Sequence, residues 1–212
     1  MGFGIFLIPL WLISTVSIYG DANFVVISKS EHTLCVYDSK KMLLKEYKVA
    51  TGLNLKPKTK SGDRCTPEGE YAVVHIYGPD SKKVKLNNAH YLGGPLHKKY
   101  RSDEDLGYNA YGPYMMRLNY PNQKDAERGF ESGLISKLEY ERIVVVGNRH
   151  ACSLPPQKTK LGGGIYIHGT SDPNSIGHSS SNGCIRMFNH ELEEFVKYIR
   201  VGTKIFIKGG LK

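Results

Sequence analysis

Two residues in the last quarter of the chain have the side chains of a thiol-based acyl-transfer site, His168 and Cys184. A thiol attacks a carbonyl carbon as its thiolate, so it needs a base or a cation beside it. The apolar run 165–167 predicts a strand that ends at His168 and holds its ring at the strand edge. Cys184 follows Gly183, a residue suited to a tight turn that approaches a substrate closely. His168 is therefore the candidate base that takes the proton of Cys184 and returns it to a leaving amine.

The residues around Cys184 add candidate electrostatic roles. The backbone N–H of Cys184, with that of Gly183 as a second candidate, is expected to face the oxyanion of a tetrahedral intermediate, where each donor contributes roughly 3 kcal/mol. Arg186 has the planar guanidinium that holds a carboxylate in a bidentate fork, and a structural ion pair is its alternative role. A histidine and a Gly-Cys pair can occur together by chance, because cysteine is most often a core residue. The wider sequence context must therefore distinguish a catalytic pair from a chance pairing.

That context is a set of separated motifs in a fixed order. Residues 166–187 resemble the catalytic motif of the L,D-transpeptidase (YkuD-type) family, in which a strand ends in His-Gly-Thr or His-Gly-Ser and a Ser/Thr-His-Gly-Cys sequence follows. The matching residues here are His168, Gly169, Thr170, Ser181, Gly183, Cys184, Ile185 and Arg186. Further family-like segments are 51–52, 66–71, 112–117 and the Tyr120-Pro121-Asn122 segment, the last resembling the YafK-like subgroup. The resemblance extends over roughly residues 24–208.

The resemblance implies a mainly β fold, an L,D-transpeptidase-like β-sandwich with a few short helices. It implies that Cys184 attacks the L,D peptide bond of a peptidoglycan tetrapeptide stem and releases the terminal D-alanine. The thioester then passes to the side-chain amine of a diaminopimelate on a neighbouring stem. The alternative is hydrolysis of the same acyl-enzyme, which would make an L,D-carboxypeptidase or an amidase that releases wall-attached protein. A wall-binding pseudoenzyme is the second alternative. No cofactor and no metal is implied.

The resemblance also implies roles for residues beside the His–Cys pair. A backbone carbonyl near the histidine orients it in this family, and Gly169 or one of its neighbours is the candidate here. The candidate substrate-binding residues are Arg186, Asn182, Tyr166 and Thr170. Asn182 is a departure, because the family usually has His at this position. Asn can hydrogen-bond but cannot be a cation beside a thiolate.

The elements that must position these residues are mostly short strands. Apolar and β-branched runs predict strands at 24–27, 33–37, 43–50, 70–77, 111–120, 165–167 and 203–207. Two short helices are predicted at 124–132 and 136–142, and 144–146 is either a brief strand or a helix end. A polar and basic surface excursion is expected over 78–107.

The clearest helix is predicted near the C-terminus. Leu192, Phe195, Val196 and Ile199 lie on one helical face. Asn189 is the expected N-cap, and Gly202 is expected to end the helix.

The N-terminal residues predict export. Residues 3–19 carry no charge, and Gly20 and Ala22 precede a candidate cleavage site before Asn23. We therefore expect residues 1–22 to be a signal peptide, with an uncleaved membrane anchor as the alternative, and residues 23–212 to be a single catalytic domain. The expected location is the periplasm or the cell-wall space.

The net charge indicates which partners are expected, and the cysteine positions indicate which metal sites and disulfides are expected. Lys and Arg number 29 against 20 Asp and Glu, which favours an anionic wall polymer or membrane surface as a further partner. The basic residues are scattered without interleaved aromatics, so nucleic acid is not an expected partner. The four cysteines show no C-x-x-C pair and no zinc spacing. Cys35 is expected to be a buried apolar residue, and loop positions favour Cys65 and Cys152 as a disulfide pair.

Overall fold

The structure is a computed structural model that describes residues 23–78, 84–86, 89–91, 111–149 and 153–209. The predicted signal peptide or anchor, Cys152 and most of the excursion over 78–107 lie outside these ranges. Among the helices of the described ranges, none is long and apolar enough to cross a membrane.

The described chain is mainly β, as the sequence predicted. The strands are β1 Phe24–Ser28, β2 Thr33–Tyr37, β3 Leu43–Lys48, β4 Thr51–Gly52, β5 Gly69–Tyr77, β6 Val84–Leu86, β7 Ala89–Tyr91, β8 Met115–Leu118, β9 Tyr166–His168, β10 Ser179–Ser181, β11 Ile185–Arg186 and β12 Lys204–Lys208. The helices are α1 Gln123–Glu131, α2 Lys137–Arg149 and α3 Asn189–Phe195, with short 3₁₀ turns at Pro173–Ser175 and Val196–Tyr198. The sequence missed β6, β7, β10 and β11 because strands of two or three residues carry no periodic signal.

Eight strands form one sheet in the order β11-β9-β8-β5-β12-β1-β2-β3. The sheet curls until its two edges meet. Ala50, just beyond β3, donates to Arg186 O at 2.9 Å and accepts from Arg186 N at 3.0 Å. This bridge satisfies backbone groups that an open edge would expose. The sandwich-like, mainly β class is thus confirmed, with its facing layers drawn from a single curled sheet.

Side chains that alternate along the strands place the hydrophobic core on one face of the sheet and the candidate site residues on the other. The main buried cluster takes Val25 and Ile27 from β1, Met116 and Leu118 from β8, and Ile167 from β9. Helix α3 covers the same core with Leu192 and Phe195. Because successive side chains of a strand point to opposite faces, burial of Ile167 in the core turns Tyr166 and His168 to the other face.

Helices α1 and α2 pack on each other around a small separate cluster. Its buried members are Ala126, Ile135, Ile143 and Leu161. Helix α1 begins with a capping box in which Asn122 Oδ1 accepts from Asp125 N at 3.2 Å and the Asp125 carboxylate accepts from Asn122 N at 2.9 Å. Helix α2 continues through 144–146, so that segment is part of a helix longer than the predicted 136–142.

The C-terminal helix differs from its prediction at both ends. Helix α3 ends at Phe195 and continues only as a 3₁₀ turn. Its N-cap is Phe188, which makes no side-chain capping bond. Asn189, predicted as the N-cap, is the first helical residue, and its Oδ1 accepts from the backbone N–H of Thr170 at 2.9 Å. The buried N–H of Thr170 takes Asn189 Oδ1 as its acceptor. Capping preferences consider only residues near the helix end, so they do not predict this contact.

The structure contradicts one of the two cysteine predictions and does not test the other. Cys35 is only half-buried on β2, because its neighbours Leu34 and Val36 are the residues that face the core. The prediction of a buried Cys35 was therefore wrong. Among the described cysteines, Cys35, Cys65 and Cys184, no two form a disulfide. The suggested pair of Cys65 with Cys152 stays a prediction, since Cys152 lies outside the described ranges.

Candidate active site

Strand register brings the predicted residues to one face of the sheet. His168 on β9 lies opposite Met115 of β8 on one side and Arg186 of β11 on the other. Cys184 immediately precedes β11, two residues before Arg186, and therefore extends the row that contains Tyr166. Its packing agrees, since Cys184 contacts the cluster of Tyr77, Met115 and Tyr166.

The imidazole of His168 is held by its own neighbour in the chain. His168 is only 4% exposed, and its Nδ1 lies 2.6 Å from the carbonyl oxygen of Gly169. A carbonyl can only accept, so Nδ1–H is the donor and Nε2 of the neutral ring is an acceptor. The ring also packs against Tyr111, with centroids 4.8 Å apart. The imidazole therefore has a defined tautomer and orientation.

Gly169 must be glycine for this arrangement. A Cβ at this position would lie 2.0 Å from Asn189 Oδ1 and 2.7 Å from Gly112 Cα. The N–H of Gly169 also donates to Tyr111 O at 2.8 Å. Gly169 is thus enclosed by Asn189, Gly112 and Tyr111, and no side chain at this position would fit between them.

The turn before Cys184 is shaped by Gly183 and Ser181. Gly183 has φ +130°, a conformation that residues with a Cβ rarely adopt. Its N–H donates to Ser181 Oγ at 3.0 Å, and the same hydroxyl donates to Cys184 O at 2.5 Å. The Gly183 N–H, the second candidate oxyanion donor, therefore already bonds within the turn. The role of the Cys184 N–H as the oxyanion donor stays a prediction.

The half-buried thiol of Cys184 lies beside aromatic and polar groups. Its Sγ lies 3.6 Å from Gly164 O. Tyr166 forms part of its surroundings, and burial raises the pKa of the Tyr166 phenol, which keeps it neutral near pH 7. The Tyr166 hydroxyl accepts from Gln157 Nε2 at 3.1 Å. Tyr166 is thus an immobilised wall of the thiol site.

A buried cation lies in the same row. Arg117, opposite Tyr166 on β8, is 4% exposed and donates to Pro155 O. Within the part of the chain that the structure describes, its Nε has no hydrogen-bond partner. The sequence indicated no role for Arg117, because its position beside Tyr166 depends on strand register.

The other candidate substrate-binding residues occupy different environments. Asn182 is exposed at the tip of the turn. Thr170 is buried, and its Oγ1 contacts the backbone of Asp172 rather than the thiol side. Arg186 is 5% exposed, between Ala50 and the strand of His168. The structure therefore brings Cys184, His168, Tyr166 and Arg186 to one region and places Thr170 in the adjoining loop.

Two residues for which the sequence indicated no chemical role also contact this site: the buried Thr66 and the half-buried Asn189. Thr66 donates its hydroxyl to Gly183 O at 3.0 Å, and Asn189 holds the loop after His168. The Thr-Pro motif that begins at Thr66 was the sequence feature that could have indicated a role for Thr66. No local pattern indicated the role of Asn189. In the described ranges, no group of three or more His, Cys, Asp or Glu side chains could hold a metal ion.

Comparison with known proteins agrees with this geometry. The family model described as YkuD, L,D-transpeptidase catalytic domain, matches residues 22–207. A segment of 46 residues is 50% identical to YqjB of Bacillus subtilis, covering 21% of this chain and 26% of that protein. A segment of 41 residues is 46% identical to YkuD of Bacillus licheniformis, covering 19% of this chain and 25% of that protein. The names of both describe provisionally assigned L,D-transpeptidases, and the matches span about a quarter of their length.

Solved structures share the fold. The helical cell shape determining protein Pgp2 from Campylobacter jejuni superimposes with a TM-score of 0.54 at 22% identity, covering 92% of this chain and 50% of that one. Bd1075 from Bdellovibrio bacteriovorus gives 0.51 at 18% identity, covering 91% and 49%. This chain spans about half the length of both structures. At these identities, the likeness concerns the fold alone.

Proposed function

Since this chain belongs to the L,D-transpeptidase catalytic domain (YkuD) family, we propose that it is a peptidoglycan L,D-transpeptidase that works through a thioester on Cys184. The observation that carries the proposal is the shared sheet face of Cys184 and His168, with the Nδ1 proton of His168 committed to Gly169 O at 2.6 Å. With the proton on Nδ1, Nε2 is the ring nitrogen that would take the proton of the thiol.

Acylation starts with proton transfer from the Cys184 thiol to His168 Nε2. The thiolate attacks the carbonyl carbon of the L,D bond in a tetrapeptide stem. The negative charge on the carbonyl oxygen faces the N–H of Cys184, a contact that is stronger in the transition state than in the ground state. Collapse of the intermediate breaks the C–N bond, and His168 returns the proton to the amine of the departing D-alanine.

Deacylation uses the same groups in reverse. The side-chain amine of a diaminopimelate on a second stem loses a proton to His168 and attacks the thioester carbonyl. The C–S bond breaks, the new amide joins the two stems, and Cys184 recovers its proton. Water in place of the amine would give a tripeptide, which is the carboxypeptidase outcome.

The charge and the N-terminal sequence support a wall location for this activity. The formal net charge is +9, which favours approach to anionic wall polymers or a membrane surface. The proposed export through residues 1–22 would deliver the domain to the periplasm or the cell-wall space.

The experiment incubates the purified chain with disaccharide-tetrapeptides and identifies products by mass. A cross-linked dimer with release of D-alanine is expected. A tripeptide alone would reassign the protein as a hydrolase, and no product would make it a wall-binding pseudoenzyme. Cys184→Ala is the control and should abolish any product while the melting temperature stays close to that of the wild type.

A further inference from the structure

The segment 64–66 lies directly beneath the nucleophile turn. A Cβ on Gly183 would lie 2.8 Å from Cys65 O, and a Cβ on Gly52 would lie 2.6 Å from Thr66 N. The segment therefore packs against two glycine backbones at distances that exclude any side chain. Thr66 in this segment is 0% exposed.

The hydroxyl of Thr66 connects these two backbones. It accepts from Gly52 N at 2.8 Å and donates to Gly183 O at 3.0 Å. The directions are certain, because a backbone N–H can only donate and a carbonyl can only accept. The single proton of the hydroxyl is thus committed to Gly183.

The carbonyl of Gly183 belongs to the same peptide unit as the N–H of Cys184. In a planar trans peptide, C=O and N–H point in opposite directions. Fixing the Gly183 carbonyl therefore also fixes the direction of the Cys184 N–H. A hydrogen bond to the carbonyl further polarises the amide and strengthens its N–H as a donor.

Thr66 is itself fixed through its main chain by a buried lysine. Lys29 is 0% exposed, and its ammonium donates to Thr66 O at 3.1 Å, to Lys56 O at 2.9 Å and to the Glu68 carboxylate at 2.8 Å. A buried charge with three such partners is held in one geometry. Both the carbonyl and the hydroxyl of Thr66 are thereby immobilised.

We propose that Thr66 is a positioning residue for the oxyanion site, which orients and polarises the Cys184 N–H through the peptide that they share. This inference rests on the proposed function, in which Cys184 is the nucleophile and its N–H stabilises the oxyanion. Thr66 itself contacts neither substrate nor the reacting atoms.

The test compares two reactions of the same thiol. Imipenem acylates a thiolate: Sγ bonds to the β-lactam carbonyl carbon, the ring C–N bond breaks, and the nitrogen takes up a proton. This reaction passes through an oxyanion. Iodoacetamide alkylates the thiolate at an sp³ carbon and expels iodide, with no oxyanion. Both rates are read at Cys184 by peptide mass, in Thr66→Val, Thr66→Ser and the wild type.

In Thr66→Val, acylation by imipenem should slow by about 10-fold or more, since loss of a whole oxyanion donor costs roughly 10²–10³ in rate. Alkylation should stay within about twofold, and Thr66→Ser should restore most of the acylation rate. Thr203→Val is the matched control, because Thr203 is also a buried threonine whose hydroxyl bonds to backbone, at Arg200 N. It should leave both rates unchanged.

Equal slowing of both reactions, or acylation at the wild-type rate in Thr66→Val, would overturn the inference. If Thr66→Val does not fold, Thr66→Ala removes the same hydroxyl without placing a methyl group in its position. Slower acylation with unchanged alkylation is then required of Thr66→Ala. Failure of imipenem to acylate wild-type protein whose Cys184 is alkylated normally would count against the proposed function itself, and the inference would fall with it.

Discussion

His168 Nδ1 and the carbonyl oxygen of Gly169 are 2.6 Å apart, so the candidate base is oriented by the peptide that follows it. Many Cys–His enzymes use a separate carboxylate or amide side chain for this purpose. Here the orientation of the His168 imidazole depends on the backbone conformation at Gly169. That conformation depends in turn on the close approach of Gly169 to Asn189 and Gly112.

Gly169→Ala should therefore impair catalysis. The added Cβ would meet Asn189 Oδ1 at 2.0 Å, which forces the loop and its carbonyl to move. We expect turnover of tetrapeptide stems to fall by about 10²-fold, a typical contribution of a well-placed general base. The matched control is Gly147→Ala, because Gly147 is in α2 and its Cβ would meet no atom within 4 Å. That variant should keep full activity and gain about 0.5–1 kcal/mol in free energy of unfolding. Unchanged turnover in Gly169→Ala would contradict the orienting role of the carbonyl.

Arg186→Lys tests the proposed carboxylate-binding role. Lysine keeps the charge but loses the planar bidentate fork. We expect KM for the tetrapeptide substrate to rise several-fold while the melting temperature changes little. A large drop in melting temperature with KM unaltered would instead show that the 5% exposed Arg186 forms a structural ion pair.

Asn182→His restores the residue usual in the family. A cation close to a thiol favours the thiolate and lowers the thiol pKa, each pKa unit corresponding to about 1.4 kcal/mol. Asn182 is exposed, so water and salt would screen an imidazolium at this position. We expect the pH midpoint of Cys184 alkylation and the product ratio to be the same in both proteins. A midpoint displaced to lower pH would show that position 182 is electrostatically coupled to the thiol.

Acid sensitivity should depend on a buried ion pair in the loop that leads to Thr66. Lys58 Nζ lies 2.7 Å from Asp63 Oδ1, with the side chains 4% and 9% exposed. Burial alone would raise the pKa of the Asp63 carboxyl, but Lys58 and three backbone N–H donors outweigh it and lower the pKa. A carboxyl whose folded pKa is depressed adds stability above its unfolded pKa of about 4, and that stability is lost as pH falls towards the folded pKa.

Asp63→Asn should remove that contribution and leave Lys58 buried without its anion, at a cost of about 3–5 kcal/mol at pH 7. Urea unfolding at pH 7 and pH 3 should show a smaller difference between the two pH values in the variant than in the wild type. Glu194→Gln is the comparison, since Glu194 pairs with Lys45 on the surface, where such pairs contribute about 0–1 kcal/mol. An equal pH dependence in wild type and Asp63→Asn would refute the assignment.

Local pattern was sufficient for the longer strands and for placing His168 at a strand end and Cys184 after a tight turn. The apolar run before His168 predicted β9, and alternation within it determines that His168 faces away from Ile167 and the core. Gly183 before Cys184 predicted a tight turn, and its φ of +130° is of the kind that only glycine adopts readily. These features depend on residues adjacent in the chain, so the sequence by itself determined them.

Contacts between distant segments were decided only by the tertiary structure. The amide of Asn189 had two possible uses, capping its own helix or accepting from Thr170 nineteen residues earlier, and local preference favoured the wrong one. Thr66 reaches Gly183 across 117 residues of sequence, and Ala50 meets Arg186 only because the sheet curls. A buried polar group takes the partner that the packed chain brings within about 3 Å, and that choice depends on how the eight strands close around the core.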